Sequence, residues 1–441
     1  MKNTSYQIIH AKWIITCEAK DEVLENHALV IQNERIVDIL PSIDATEKYT
    51  ATKTEHYDAH AICPGFVNSH THVPMNYFRG LADDLALMNW LENHIWPAEK
   101  KWLGEEFVFD ASLFAMAEMI RSGTTSFNDM FFYMPSTGKA TEIAGLRGHI
   151  AMHVISFETK WAKDAEDEFA KAESFYQEFK NSKYVSMTVA AHSMYTVTED
   201  KYLLRLHDIA EKYGLQMNIH LQEPRTEMDI LLKRTKRRPL AHLAHLGLLN
   251  PRLIGVHMLH VNEEDFNLLE KHKPNVVHCP ESNMKLASGL CPVAELLARG
   301  VNVALGTDGA ASNNDLDMLG EMRTAAFLAK HSTQNPESLS AYETLKMATL
   351  NGAQALNVHH ERGSLKKGKL ADFIAIHLDE IETLPTYHPI SHIVYAASKH
   401  QVTDVWVGGK KLLDNRKLTT LDENELKAKA KAWGEKIKSY S

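Results

Sequence analysis

From about Ile62 to Leu378 the chain repeats one pattern: apolar runs of five to eight residues alternate with longer stretches whose apolar residues recur every three or four positions. Short apolar runs suit buried strands and the three-to-four spacing suits amphipathic helices, so the alternation predicts βα units around a parallel sheet. Eight strand cores can be counted: Ala61–Asn68, Thr124–Asp129, Gly148–Ile155, Val185–Ala191, Gln216–His220, Ile254–His257, Asn275–His278 and Val301–Gly306. Helices are predicted between them, at Gly104–Ser122, Asp164–Lys180, Asp200–Lys212, Glu263–Lys271 and Val293–Arg299. Eight units over roughly 300 residues is the arithmetic of an α/β fold of the (β/α)8, TIM-barrel type.

The flanks read differently. Tyr6–Cys17, Ala28–Gln32 and Ile36–Leu40 are short β-rich runs between charged turns, too short to bury much alone. Ala371–His377 and Val402–Lys410 are again strand-like, and Leu426–Ile437 is a Lys-rich amphipathic helix. Chain ends often lie close together, so the late strands are expected to pair with the early ones. The expected organisation is residues 1–60 with 371–420 as a small β-sandwich-like domain, 61–370 as the barrel, and 421–441 as a C-terminal helix.

Composition narrows the chemistry. With 441 residues, 44% apolar and 24% charged, the chain is a soluble globular protein and neither collagen-like nor disordered. Forty-eight basic against fifty-seven acidic residues leave a net charge of −9, which repels nucleic acid and favours small neutral or zwitterionic partners. Cys17, Cys63, Cys279 and Cys291 are too scattered for a disulfide framework or a CxxC metal knuckle, so a reducing cytoplasm is expected. No signal-peptide pattern opens the chain and no eighteen uncharged apolar residues run together, so neither export nor a membrane span is expected. Large TIM-type enzymes of this size often pair, which makes a homodimer or higher homo-oligomer the expected state.

The 25 histidines direct attention to strand ends. Pro64–His72 is an apolar strand finishing in His70-Thr71-His72; side chains two apart on a strand share a face, so both imidazoles can converge at the mouth of a barrel. His220 ends the fifth run, with Glu223 three residues on, able to sit beside a metal without binding it. His257 ends the sixth run. Asp308 closes the eighth, where a carboxylate can bind a metal and take a proton from the attacking water. Any one of these could be a turn or packing residue; four His and one Asp on four strand ends of one barrel are hard to attribute to coincidence.

His70-Thr71-His72, His220-Leu221-Gln222-Glu223, His257 and Leu305-Gly306-Thr307-Asp308-Gly309 resemble the motifs of the amidohydrolase superfamily. Pro64–Lys100, His278-Cys279-Pro280-Glu281-Ser282-Asn283 and Thr307–Asn314 resemble its branch of 5′-methylthioadenosine and S-adenosylhomocysteine deaminases, with s-triazine and N-ethylammeline hydrolases as near relatives. The likeness spans nearly the whole chain. It implies one divalent ion, zinc first with iron or manganese as alternatives, held by His70, His72, His220 and Asp308. It implies that Glu223 shuttles protons, that His257 contacts the attacking water, that Glu99 binds ribose hydroxyls, and that His192 touches substrate. Without the resemblance, Glu99 reads as a solvated helix-surface acid and His192 as a strand-end core histidine. His278 suits either pocket lining or support, and His242, His245, His260, His359 and His360 have no partner logic.

The implied reaction is hydrolytic deamination of a purine nucleoside, 5′-methylthioadenosine foremost, with adenosine and S-adenosylhomocysteine behind it. Removal of a halide or amine from an s-triazine is the enzymatic alternative, though a ribose-binding Glu99 would have no role there. A catalytically inactive scaffold is the reading from another class, but it would be under no chemical constraint to keep four ligands and Glu223. Branch members that use S-adenosylhomocysteine well resemble one another in an arginine near the end of the third strand; aligned on Leu146-Arg147-Gly148, this chain has His153 there, with Lys160 or Lys163 as substitute point charges. Met75, Leu81, Met88, Trp90 and Leu91 lie in the first βα loop, where a lid over an apolar thioether would form.

Overall fold

In the computed structural model, which describes residues 6–438, every apolar run of the middle of the chain is a strand. Four strands precede the barrel: β1 (Tyr6–Ile15), β2 (Val23–Gln32), β3 (Arg35–Pro41) and β4 (Ala51–Pro64). The barrel strands are β5 (Phe66–Thr71), β6 (Thr124–Asp129), β7 (Arg147–Val154), β8 (Val185–Ser193), β9 (Met217–Leu221), β10 (Leu253–His257), β11 (Asn275–His278) and β12 (Asn302–Leu305). After them come β13 (Phe373–His377), β14 (Val402–Val407), β15 (Lys410–Asp414) and β16 (Lys417–Leu418). Strands β5 to β12 pair in sequence order, all parallel, with helices between them. This is the (β/α)8 architecture.

The outer strands form one continuous sheet in the order β16-β15-β14-β13-β4-β1-β2-β3, where a sandwich-like arrangement was expected. Its boundary with the barrel also differs. Ala61–Pro64, expected to open the first barrel strand, ends β4 and pairs antiparallel with β13, Ala61 opposite Ile376 and Pro64 opposite Phe373. The apolar run passes through two buried sheets with only Gly65 between them, and hydrophobicity cannot mark a border that is buried on both sides. The first half of β4, Ala51–Asp58, was missed because its charged residues lie mostly exposed. Residues 1–5 and 439–441 of the expected ranges lie outside the described residues.

Backbone and side chains close the barrel seam between β12 and β5. Asp308 N–H donates to the His70 carbonyl at 3.1 Å. Thr71 Oγ1 donates to the Asp308 carbonyl at 3.0 Å, and the Asn68 amide bonds Thr307 both ways, at 2.8 and 3.1 Å. Gly306 passes so near that a Cβ there would sit 2.8 Å from the His70 backbone, so a side chain at 306 would displace His70 itself. The C-terminal helix, Glu423–Lys438, packs on the barrel helix Glu105–Arg121, where Lys429 and Trp433 both donate to Asp110 at 2.9 and 3.1 Å. Among the described residues no helix is long and apolar enough to cross a membrane.

A buried ion pair joins barrel to sheet. Arg147, opening β7, grips Asp372, just before β13, through Nε–Oδ2 at 2.6 Å and Nη2–Oδ1 at 3.0 Å, and Oδ1 also accepts from Gly408 N–H at 2.6 Å. Removing one partner would strand the other charge in the interior. Arg147→Met should therefore lower the unfolding free energy by about 3–5 kcal/mol in a denaturant titration; a loss under about 1 kcal/mol, the range of an exposed pair, would show that the clamp is not load-sharing.

Candidate metal centre and catalytic pocket

The strand ends bring His70, His72, His220 and Asp308 together, with one donor atom from each lying within 4.8 Å of all the others. His70 Nε2 and His72 Nε2 stand 3.4 and 3.2 Å from Asp308 Oδ1, and His220 Nε2 stands 3.1 Å from His70 Nε2. Asp308 reaches this point on a left-handed backbone, φ 59°, and Gln222 and His257 beside it are left-handed too, at 54° and 75°. Such strain in residues with a Cβ collects at functional sites.

Hydrogen bonds decide which way the imidazoles face. His72 Nδ1 lies 2.6 Å from the Met130 carbonyl and His220 Nδ1 2.6 Å from the His192 carbonyl. A carbonyl only accepts, so each Nδ1 carries a proton and, in the neutral ring, each Nε2 points a lone pair inward. Two lone pairs and a carboxylate aimed at one point repel unless a cation lies between them, so the donor set fits a divalent metal ion. Asp308 Oδ2, turned away, accepts from Ser282 and Ser312 at 2.7 and 2.8 Å. Burial alone would raise the Asp308 carboxyl, but the His70 and His72 contacts hold it well below the usual range. Burial likewise opposes charge on His72, but Asp308 pushes it up to about 9, so a proton on its Nε2 answers the carboxylate wherever a metal ion does not. Asp129 Oδ1 accepts from Val73 N–H at 2.7 Å and so fixes the chain immediately after His72.

Glu223 is buried beside the cluster without belonging to it, and burial raises its carboxyl above the ordinary value. Its Oε2 lies 3.8 Å from His257 Nε2. Both border a cavity of about 460 Å3, which His72, His220 and Asp308 also reach. Glu99, His192 and His153 lie in its wall. Glu99 is only 9% exposed, unlike a solvated helix acid, and burial pushes it up to about 8. Burial lowers His192 to about 3 and takes His153 well below its ordinary value, so both rings are neutral at physiological pH. His153 Nδ1 stands 4.0 Å from Glu168 Oε2 in a buried contact.

Of the expected lid residues, Met75, Trp90 and Leu91 line the cavity, while Leu81 and Met88 pack behind them in the same apolar cluster, which reaches Ile437 of the C-terminal helix. Lys160 lines the cavity and donates to the Lys101 carbonyl at 2.7 Å; Lys163 does not line it. His278 does not border it either: it ends β11 buried, where its carbonyl accepts from Gly306 N–H at 3.0 Å. His242, His245, His260, His359 and His360 lie outside the wall. Sequence reasoning assigned no role to Ser282, Ser312 or Asn283, although all three stand in the motifs that carry the resemblance.

Three imidazoles and a carboxylate at the C-terminal mouth of a (β/α)8 barrel, with an uncommitted buried acid next to them, define a metal-dependent hydrolase. Residues 61–412 match the amidohydrolase family. The chain belongs to that family. It is 42% identical over 436 residues to a 5-methylthioadenosine/S-adenosylhomocysteine deaminase of Saccharophagus degradans, covering 98% of this chain and 97% of the relative. It is 37% identical to a 5'-deoxyadenosine deaminase of Methanosarcina acetivorans, covering 98% of each. The zinc-bound crystal structure of an adenosine deaminase from Xanthomonas campestris superposes with a TM-score of 0.96 at 41% identity, covering 98% of both chains. A zinc complex of atrazine chlorohydrolase from Arthrobacter aurescens, 21% identical, shares the fold with a TM-score of 0.91 over 97% of this chain and 100% of that one.

Elemental analysis of the purified protein should find about one divalent transition metal per chain, and His70→Ala should remove most of it. Metal-free protein that keeps full activity in a strong chelator would contradict this site.

Proposed function

We propose that the protein is a zinc-dependent hydrolytic deaminase that converts 5′-methylthioadenosine to its inosine analogue and ammonia, with adenosine and S-adenosylhomocysteine as further substrates. The observation that carries this reading is Glu223, a buried carboxyl with a raised pKa held beside four metal-ligand side chains in a cavity that Glu99 walls. The relatives named as deaminases at about 40% identity support it.

The ion that His70, His72, His220 and Asp308 would hold supplies a water acidic enough to attack at neutral pH, and three nitrogens with one carboxylate suit zinc. Asp308 accepts a proton from the attacking water. Glu223, whose carboxyl burial raises above its ordinary value, donates to the ring nitrogen next to the amine-bearing carbon and so makes that carbon electrophilic. His257 donates to the incoming oxygen. The C–O bond forms, Glu223, having given its proton to the ring nitrogen, takes the hydroxyl proton of the adduct, Asp308 passes its proton to the amine, and the C–N bond breaks as the C=O bond forms, so that ammonia leaves instead of amide ion and both carboxyl groups regain their starting states. Glu99, protonated below about pH 8, can both donate to and accept from ribose hydroxyls, and neutral His192 can bond the ring without competing for the cation. A triazine would leave the buried Glu99 unpaired, which counts against that alternative.

Glu223→Gln keeps the shape and loses the proton. Its kcat should fall roughly 10² to 10⁴-fold with metal content unchanged; retention of more than about a tenth of the wild-type rate would exclude Glu223 as the shuttle. Ammonia release across adenine nucleosides and triazines tests the substrate class. In competition, 5′-methylthioadenosine should show the higher kcat/KM over S-adenosylhomocysteine, because neutral His153 cannot clamp an amino-acid carboxylate as an arginine fork does. His153→Arg should move the preference towards S-adenosylhomocysteine. A wild-type preference for that larger nucleoside would overturn the inference.

A further inference from the structure

Two further imidazoles, those of His192 and His257, crowd the three of the ligand set. The ring of His257 stacks on His220 with centroids 5.4 Å apart and planes 16° apart, and lies 5.9 Å from His70. Distance alone does not say why the His257 ring should act differently from the ligands beside it. For His72, His220 and His257 the difference lies on the far side of the ring. His72 and His220 turn Nδ1 to main-chain carbonyls, which can only accept. His257 turns Nδ1 to the side-chain amide nitrogen of Asn283, 2.9 Å away, which can only donate.

We propose that Asn283 is a positioning residue that fixes the tautomer of His257, holding the proton on Nε2 so that this N–H faces the substrate side of the metal cluster. A neutral imidazole whose Nδ1 accepts must carry its proton on Nε2. That nitrogen faces Glu223 Oε2 at 3.8 Å. With the amide turned over, His257 would present another bare nitrogen towards the cluster that already gathers the inward nitrogens of the ligands and the Asp308 carboxylate, and that crowding favours the orientation seen. Both partners are rigidly held. Asn283 and His257 are buried, and Asn283 sits in the short helix Pro280–Lys285 after β11, its N–H donating to the Cys279 carbonyl and its carbonyl accepting from Ser288, both at 3.0 Å. The left-handed backbone at His257 and Met258 is tied down by Met258 N–H on the Leu221 carbonyl at 3.0 Å. A carbonyl on Nδ1 thus leaves Nε2 of His72 and His220 free to bind a cation, and an amide N–H on Nδ1 makes a donor of their neighbour His257. A donor there faces the oxygen that attacks the ring, and this last step rests on the deaminase reading; the tautomer does not.

Neutron diffraction from deuterated crystals of the metal-loaded wild-type protein tests the tautomer without substrate. Deuterium on His257 Nε2, with Nδ1 bare and the Asn283 nitrogen facing it, is expected; deuterium on Nδ1 alone overturns the proposal. The catalytic consequence is tested by Asn283→Asp and Asn283→Leu, assayed above neutral pH with metal content checked. Aspartate can only accept and so draws the proton to Nδ1, and kcat should fall by about 10²-fold or more, the scale of a lost oxyanion donor, with KM changed little. Leucine leaves the ring free to choose its tautomer and should cost less than aspartate. If Asn283→Asp keeps wild-type kcat while Asn283→Leu loses it, the amide is an acceptor and the assignment is wrong. Should wild-type protein release no ammonia from any nucleoside, the deaminase reading fails while the diffraction result still decides the tautomer.

Discussion

Mutual repulsion among lone pairs is the constraint around which this molecule is arranged. His72 and His220 are each locked by a carbonyl into presenting a bare nitrogen, His70 lies 3.1 Å from His220, and Asp308 adds a carboxylate to the same point. Without a cation, or a proton on His72 in its place, that assembly is costly, and the groups around it work to keep it from relaxing. Gly306 leaves room for no other residue beside the His70 backbone, Asn68 and Thr307 stitch the barrel seam, Ser282 and Ser312 restrain the second oxygen of Asp308, and Asp129 pins the chain after His72.

The same burial that makes the ligands repel sets the chemistry of the pocket. Glu223 and Glu99 are raised by desolvation and can donate protons, while Asp308, which has histidine partners, stays ionised. Three carboxyl groups of nearly equal intrinsic acidity are thereby separated into two proton donors and one anion by their neighbours alone. Precision at the mouth depends on parts far from it. The first βα loop packs in an apolar cluster that reaches the C-terminal helix, itself anchored through Lys429 and Trp433 on Asp110, and Arg147 with Asp372 ties the outer sheet to the start of the third barrel strand.

Much of this was legible in the residues. Thr124–Asp129 and Asn275–His278 are strands with the bounds their apolar runs predict. The four metal-ligand candidates stood out because each falls at the end of such a run, where period-two alternation and barrel topology dictate the direction a side chain takes. What escaped has physical reasons. Ala51–Asp58 is a strand with a mostly polar, exposed surface, so no hydrophobic signal marks it. Ala61–Pro64 continues an apolar run across a sheet boundary. Arg147 and Asp372 are 225 residues apart, and no local pattern announces their pairing. Asn283 and Ser282 sit in a motif noticed for its likeness, but their work is to orient other side chains, which spacing along a chain cannot reveal. Glu99 is the reverse case: its local sequence suits a wet helix surface, yet it lies buried in the cavity wall.

The account stands on water attacking a purine ring carbon and ammonia leaving it. The most direct measurement is to incubate the metal-loaded protein with 5′-methylthioadenosine in water enriched in oxygen-18 and to follow the product by mass spectrometry alongside ammonia. One heavy oxygen on the ring of the product, with one ammonia released per product molecule, is the predicted result. An unaltered purine ring, or a label carried by the sugar or sulfur end instead, would contradict it.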